Sequence, residues 1–320
     1  NATLEALAEQ GIKFTILSPH QAARVRRIGE QAWTDAPGGG IDPKRAYVCN
    51  LPSGQSIDIF FYDRPVSHDV AFANVLDNGK DFAKRLTKSF TNEGYPQLVN
   101  IATDGETYGH HHRFGDMALA YCLYYLESKN MATITNYGEF LGRFPPQFEV
   151  QILENTSWSC SHGIERWRSN CGCNMGKFAS QAWRGPLREA LDWLRDALAP
   201  LYEGALSEYA MDPWASRDAY IDIVLDRSEV SMDAFFERNA GRRLSMDERR
   251  RVLSLLECQR HAMLMYTSCG WFFDEISGIE TIQIMKYAAR VIQLIRDVFG
   301  VDLEKRFLEK LAAAKSNVPA

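Results

Sequence analysis

The spacing of apolar residues changes about halfway along the 320-residue chain. Up to about residue 155, short β-prone runs alternate with helical segments, a pattern that predicts a parallel sheet or a barrel. Beyond about residue 178, apolar residues recur at helical spacing and no run of comparable β quality follows. The pattern therefore predicts an α/β domain followed by an all-α helical domain.

We place the domain boundary near residue 177, since domains usually contain about 100–200 residues. Residues 1–2 look like the scar of a cleaved expression tag. Residues 3–177 are assigned to the α/β domain, which carries a β-hairpin insertion at 46–63 with its turn at Pro52-Ser53-Gly54. Residues 178–320 are assigned to the helical domain.

Single elements can also be predicted from local patterns. In the first domain we expect a helix ending at Gly11, a strand at 12–17, helical material at 66–90, a strand at 98–103, a helix at 116–127 and a β-prone piece at 131–135. In the second we expect a helix at 187–201, a helix begun by the capping box Ser245 and Glu248, and a helix at 282–296 ended by Gly300.

Charge and composition exclude several classes of partner. The net charge of −5 and the pI near 5.9 argue against nucleic acid or an anionic membrane surface. No run of about 18 apolar residues occurs, so no membrane span is expected. The seven cysteines are an odd count in a large chain, which favours reduced thiols in a cytoplasmic protein. The oligomeric state is left open.

The segment at 101–112 concentrates chemistry-bearing residues. Its sequence, Ile-Ala-Thr-Asp-Gly-Glu-Thr-Tyr-Gly-His-His-His, holds two carboxylates and three of the seven histidines. It follows the run predicted as a buried strand, and α/β barrels carry their catalytic residues where strands end and loops begin. The active site is therefore expected here.

Asp104 and Glu106 allow several interpretations. Glycoside hydrolysis usually needs two carboxyl groups flanking the scissile bond, whereas phosphoryl or amide chemistry would use acids to hold a metal. A solvated turn is the structural alternative. Consecutive histidines rarely all face one ion, although two of His110, His111 and His112 could do so together with Asp104. A single histidine contacting a sugar hydroxyl is the favoured reading.

Two further patches combine unusual residues. The patch at 155–173 contains the side chains of a four-ligand zinc site, but the C-x-H and C-x-C spacing differs from the usual knuckle; they are Cys160, His162, Cys171 and Cys173. Reduced thiols in a tight loop are the alternative. In the segment 265–275, Gly270 interrupts a helical pattern, and Trp271 is interpreted either as a ring stacking on substrate or as a buried aromatic anchor.

The stretch Thr103-Asp-Gly-Glu-Thr-Tyr-Gly-His110 resembles the fourth signature motif of family 57 glycoside hydrolases, Asp-x-Glu-x-(Phe/Tyr)-Gly-His. The resemblance implies an incomplete (β/α)₇ barrel, of which we expect this chain to hold the C-terminal part followed by a helical bundle domain, and a retaining mechanism on α-glucans. It also implies that Asp104 is the general acid/base. We expect Glu106, the second catalytic candidate, to hold or polarise the loop. The family often has tryptophans after the motif histidine, where this chain has His111 and His112.

Two other segments extend the resemblance. Ser157-Trp158 with Trp167 looks like the family's Ser-Trp-Gly…Trp segment, and the segment 268–273 is similar to a motif that the helical domain contributes to the active site. Most of the chain resembles a bacterial branch in which a domain of unknown function follows the barrel. The resemblance implies substrate-binding roles for four residues: His110, Trp158, His162 and Trp271.

The resemblance also implies that a catalytic glutamate lies in a Pro-Glu-Thr type motif just upstream of a helix like Thr3-Leu-Glu-Ala-Leu7. We therefore expect an internal fragment of a carbohydrate-active enzyme, a glycoside hydrolase or transglycosylase that binds an oligo- or polysaccharide. The isolated fragment is expected to be inactive. No cofactor is expected beyond a structural zinc at the cysteine patch.

Two rival functions stay open at this point. The first is a metal-dependent hydrolase, such as a deacetylase-like barrel that uses Asp104 with two histidines. The second is a non-catalytic carbohydrate-binding or zinc-stabilised interaction module.

Overall fold

The computed structural model describes residues 1–318. The chain divides into two compact units, the first covering residues 1–161 and the second beginning at His162. This division falls earlier than the boundary that the sequence suggested near 177, and residues 319–320 of the predicted helical domain lie outside the described part. Within residues 1–318, no helix is both long enough and apolar enough to cross a membrane.

The first unit is built on one six-stranded mixed sheet. In the order β1-β5-β4-β6-β2-β3, the pairs β1–β5 and β4–β6 are parallel and the other three are antiparallel. The predicted hairpin is confirmed as the β4–β5 pair, with Tyr47 opposite Ile59. The strands are β1 (Phe14–Leu17), β2 (Ala22–Arg27), β3 (Thr34–Asp35), β4 (Tyr47–Asn50), β5 (Ser56–Phe61) and β6 (Phe148–Ile152).

Five α-helices complete the first unit, and they confirm the helices expected there. Asp63 caps the second of them by accepting a hydrogen bond from the backbone N–H of Val66 at 3.1 Å. The third and fourth cross closely at Gly79, where a Cβ atom would lie 2.6 Å from the carbonyl oxygen of Ala118. The helices are α1 (Ala2–Glu9), α2 (Arg64–Phe72), α3 (Gly79–Thr87), α4 (Gly115–Ser128) and α5 (Tyr137–Arg143).

The predicted strand at 98–103 is wrong, because this extended segment joins no ladder. Its polar groups bond instead to loops and to a helix start. The carbonyl of Asn100 accepts from the N–H of Asp63 at 2.9 Å, and its side-chain amide donates to the carbonyls of Pro43 and Phe61, both at 3.1 Å. The buried asparagine thus takes over the pairing that a neighbouring strand would supply.

The β-prone piece at 131–135 is likewise not a strand. The N–H of Met131 bonds to the carbonyl of Leu126 at 2.9 Å and so continues the end of α4. The sequence pattern also missed β2 and β6, which pair with each other across more than a hundred residues of chain.

The second unit is helical, as predicted, and no strand follows β6 within residues 1–318. Its elements are α6 (Arg184–Leu206), α7 (Pro213–Ala219), α8 (Ile221–Leu225), α9 (Glu229–Asn239), α10 (Met246–Leu264), α11 (Cys269–Phe272), α12 (Ile279–Phe299) and α13 (Glu304–Leu311).

Local signals account for the long helices of this unit. Leu187, Leu191 and Leu194 are fully buried on one face of α6, as their spacing predicts. The capping box of Ser245 and Glu248 begins α10, with the Glu248 carboxylate accepting from the Ser245 N–H at 2.7 Å. Gly300 ends α12 in the left-handed conformation that a C-cap requires.

Candidate functional site

Asp104 lies at the start of a short 3-10 turn formed by Gly105–Tyr108. Its carbonyl accepts from the N–H of Thr107 at 3.0 Å, and the Thr107 side chain is buried with 3% exposed. Asp104 and Glu106 are both exposed. The turn therefore buries its threonine and leaves its two acids accessible from solvent.

Hydrogen bonds hold the histidine part of the loop in one conformation. The carbonyl of Glu106 accepts from the N–H groups of His110 at 3.1 Å and His111 at 2.9 Å. This reversal places Gly109 at φ +149°, which a side chain would disfavour. The Nε2 of His112 donates to the carbonyl of Ala71 at 2.9 Å and fastens the loop to α2.

The acid and histidine side chains that lie close together are not the set that the sequence suggested for a metal site. The side-chain ligand atoms of Glu106, His110 and His111 lie within 4.8 Å of one another. Nε2 of His111 is 3.5 Å from a carboxylate oxygen of Glu106, and the two histidine rings have centroids 5.3 Å apart. All three are exposed, and the group contains Glu106 in place of Asp104.

Trp158 lies on a turn that follows the last strand of the first unit. The turn is held to the segment between β1 and β2, because Nε2 of His20 donates to the carbonyl of Ser157 at 2.8 Å. The Trp158 side chain is 61% exposed. A flat apolar ring in that position is available for stacking on a sugar face.

His162, Cys171 and Cys173 come together at the beginning of the second unit. Nδ1 of His162 lies 3.5 Å from Sγ of Cys173. Cys160, the remaining residue of the predicted cluster, precedes His162 by two positions, and the division between the units falls between them.

Trp271 is placed as a buried anchor. Its side chain is 1% exposed and stacks on Trp183 in the core of the second unit, with ring centroids 6.5 Å apart. The indole ring is thus packed among the other buried side chains of this core. The substrate-stacking role expected from the resemblance stays a prediction, and this placement fits the alternative interpretation, a buried aromatic anchor.

Sequence reasoning missed an acid–aromatic network in the first unit. Asp42 accepts from the Tyr95 hydroxyl and from Nε of Arg45 at 2.8 Å, and the Arg45 guanidinium lies 3.9 Å from the centre of the Tyr95 ring. Burial acts to raise the pKa of the Asp42 carboxyl, but hydrogen bonds from Tyr95, Lys44 and Arg45 outweigh it and lower that pKa.

This network borders an aromatic cleft. Rings and guanidinium groups of this kind can stack on and hydrogen-bond a sugar. Phe140, Phe144 and Phe148 recur at every fourth residue, and this spacing is visible in the sequence. The lining residues include Arg45, Tyr95, Phe140, Arg143, Phe144 and Phe148.

Two family models match the chain. Residues 1–152 match Glycosyl hydrolase family 57, and residues 180–320 match a domain of unknown function, DUF3536. The first match includes the Asp104 loop, and the second covers the helices from α6 onward. Among curated proteins, none matches this chain.

Two solved structures are similar in fold. An exo-type maltose-forming amylase from Pyrococcus sp. ST04 is 15% identical, with a TM-score of 0.69 over 97% of this chain and 56% of that one. A family 57 branching enzyme from Thermococcus kodakaraensis, solved in complex with glucose, is 15% identical, with a TM-score of 0.50 over 97% of this chain and 57% of that one. The chain thus spans about half the length of these enzymes. It belongs to the glycoside hydrolase family 57 superfamily, with a domain of unknown function following the family 57 region.

Proposed function

We propose that this chain forms part of a retaining glycoside hydrolase or transglycosylase that acts on α-linked glucans, with Asp104 as its general acid/base. The observation that carries the proposal is the Asp-x-Glu-x-Tyr-Gly-His loop beginning at Asp104, inside the segment that matches family 57. The similar solved structures are a maltose-forming amylase and a branching enzyme, which supports α-glucans as the substrate class. We also propose that the mixed sheet belongs to the incomplete (β/α)₇ barrel of this family.

The geometry of the loop suits proton transfer by Asp104. Its carboxyl group is exposed, while the backbone that carries it is fixed by the hydrogen bond to Thr107 and by the contact of His112 with α2. A fixed but accessible carboxyl can protonate the glycosidic oxygen of a bound glucan. It can then take a proton from water, which gives hydrolysis, or from an acceptor hydroxyl, which gives transfer.

A retaining reaction needs a second carboxylate, about 5–5.5 Å from the first, as the nucleophile. The family resemblance assigns that role to a glutamate in a Pro-Glu-Thr type motif, and this tripeptide does not occur in the 320 residues. Glu106 pairs with His111, so we assign it to holding the loop. His110 and Trp158, both exposed, are the proposed contacts for sugar hydroxyls and for a sugar face.

The test compares the full-length natural protein with its Asp104→Asn variant on maltooligosaccharides. We expect kcat to fall by about 10²–10⁴-fold, because the amide can neither donate nor accept the transferred proton. Asp116→Asn is the matched control, an exposed aspartate in the first turn of α4. The anomeric configuration of early products, followed by NMR, should match that of the substrate. Full activity of Asp104→Asn, inverted products or a wild type inert on every α-glucan would contradict the proposal.

A metal-dependent hydrolase is the second candidate, favoured by one observation. The ligand atoms of Glu106, His110 and His111 approach within 4.8 Å of one another in the same loop. A carboxylate and two imidazoles are the ligand types of catalytic zinc sites. Metal counting on histidine variants separates this function from the first.

A further inference from the structure

Three metal-ligating side chains converge where the second unit begins. The ligand atoms of His162, Cys171 and Cys173 all lie within 4.8 Å of one another. In a tetrahedral zinc site, ligands at about 2.3 Å for sulfur and 2.0–2.1 Å for nitrogen are about 3.6 Å apart. The distance between Nδ1 of His162 and Sγ of Cys173 is 3.5 Å. The side chains thus have the spacing of a zinc site.

The backbone between Cys171 and Cys173 is bent, and both sulfur atoms lie close to the imidazole of His162. Gly172 has φ +82°, a conformation that residues with a Cβ rarely adopt. Cys171 and Cys173 are both half-buried, so water is partly excluded from their sulfur atoms.

The segment that follows is fixed to the second unit by one carboxylate. Asp274 accepts from the backbone N–H groups of Met175 at 2.6 Å, Lys177 at 2.8 Å and Phe178 at 3.2 Å. Three bonds to a charged acceptor hold this stretch firmly. The two cysteines are therefore presented from an ordered loop, as a preformed metal site requires.

A buried cation lies beside the sulfur atoms. Arg184 is fully buried, with Nη1 at 3.2 Å from the carbonyl of Cys173 and 4.0 Å from Sγ of Cys171. Its Nη2 donates to the carbonyls of Phe272 and Phe273, both at 3.3 Å. A buried charge needs counter-charges, and the carboxylate of Asp274 and the sulfur atoms of Cys171 and Cys173 are close enough to act on this guanidinium electrostatically.

Thiolate ligation suits this setting. In a zinc complex Cys171 and Cys173 would be thiolates, and the guanidinium of Arg184 would offset part of their negative charge.

We propose that His162, Cys171 and Cys173 bind one Zn²⁺ ion in the second unit. Soft thiolates with an imidazole select zinc over magnesium or calcium. In this arrangement His162 serves as a metal ligand and not as the sugar contact suggested by the family resemblance.

The test is metal analysis of the 320-residue protein, purified under argon from zinc-containing medium. We expect one zinc per chain, X-ray absorption distances of about 2.3 Å to sulfur and 2.0–2.1 Å to nitrogen, and a lower melting temperature after chelation. Replacement by Co²⁺ should give the thiolate charge-transfer absorption of a tetrahedral site. These measurements use the wild type and do not depend on any variant folding.

Variants then assign the ligands. Cys171→Ser and Cys173→Ser should lose the ion, while Cys269→Ser, at an exposed cysteine of the same unit, should keep it. A wild type without stoichiometric zinc, a disulfide between Cys171 and Cys173, or unchanged zinc content in Cys171→Ser and Cys173→Ser would overturn the site. Loss of glycosidase activity is not a readout here, so the site stands or falls independently of the proposed function.

Discussion

The indole rings of Trp183 and Trp271 stack with their centroids 6.5 Å apart and their planes 20° apart. Nε1 of Trp183 donates to the carbonyl of Asp274 at 3.2 Å, and this aspartate follows Trp271 by three residues. The pair therefore joins the start of α6 to the segment around α11. The motif that resembles an active-site element is part of the core of the second unit.

We predict that Trp271→Ala lowers the free energy of unfolding by about 3–5 kcal/mol, because it opens a cavity against Trp183 that the surrounding helices cannot fill. Urea denaturation followed by circular dichroism measures the effect.

Trp158→Ala is the control, since this tryptophan is 61% exposed. We expect its stability to change by no more than about 0.5 kcal/mol, while maltooligosaccharide binding by the full-length protein weakens. Equal losses in the free energy of unfolding for Trp271→Ala and Trp158→Ala would contradict the difference in burial between the two tryptophans.

Much of the second unit could be predicted because its signals are local. The leucines from Leu187 to Leu198 recur every three or four residues, and the capping box of Ser245 and Glu248 lies within one turn. The hairpin of β4 and β5 was equally readable, since its turn carries proline and glycine.

The elements that were missed or predicted wrongly have a different cause in common. Each depends on contacts between distant parts of the chain. Pairing of β2 with β6 places Arg26 opposite Glu149, and no pattern of neighbouring residues predicts that these two strands pair. The segment 98–103 has strand composition, but its groups bond to Asp63 and other non-ladder partners. Similarly, the loop motif at Asp104 was visible in the sequence, whereas burial of Trp271 depends on Trp183 far away in the chain.

Gly270 packs so closely on α12 that a side chain cannot be added. A Cβ atom there would lie 2.6 Å from Cγ2 and 2.7 Å from Cδ1 of Ile284. We predict that Gly270→Ala lowers the free energy of unfolding by about 1–3 kcal/mol through overpacking. Because the clash involves Ile284, the added Ile284→Ala change should show favourable coupling in a double-mutant cycle.

Gly204→Ala provides the matched control, as this glycine lies inside α6 with nothing within 4 Å of its added Cβ. It should stabilise the protein by roughly 0.5–1 kcal/mol, since alanine favours a helix interior. A Gly270→Ala variant as stable as wild type would contradict the packing described for α11 and α12.

Asp42 should make stability depend on acid pH. Its pKa is lowered in the folded protein, because the hydrogen bonds from Tyr95, Lys44 and Arg45 outweigh the effect of burial. The stabilisation is therefore complete above the ordinary aspartate pKa of about 3.9 and is lost as the pH falls through the lower folded value. Asp42→Asn should reduce the free energy of unfolding at pH 7 by roughly 2 kcal/mol and flatten its fall below pH 4.

Urea denaturation between pH 7 and pH 3 measures this dependence. Asp35→Asn, at an exposed position of β3, should leave the curve nearly parallel to wild type. An Asp42→Asn curve with the wild-type slope at acid pH would mean that the network of Tyr95 and Arg45 does not stabilise the carboxylate.

The last prediction concerns the group formed by Glu106, His110 and His111. All three side chains are exposed, so water competes for a bound ion and ordering these side chains for ligation costs entropy. We expect no stoichiometric metal at this group, and thus the same zinc content in the His110→Ala/His111→Ala double variant as in wild type. Plasma mass spectrometry of both proteins, purified in parallel with Cys171→Ser, counts the ions at each group separately. An ion lost in the histidine variant but kept in Cys171→Ser, together with lost hydrolysis, would establish the metal-dependent hydrolase in place of Asp104 acid/base catalysis.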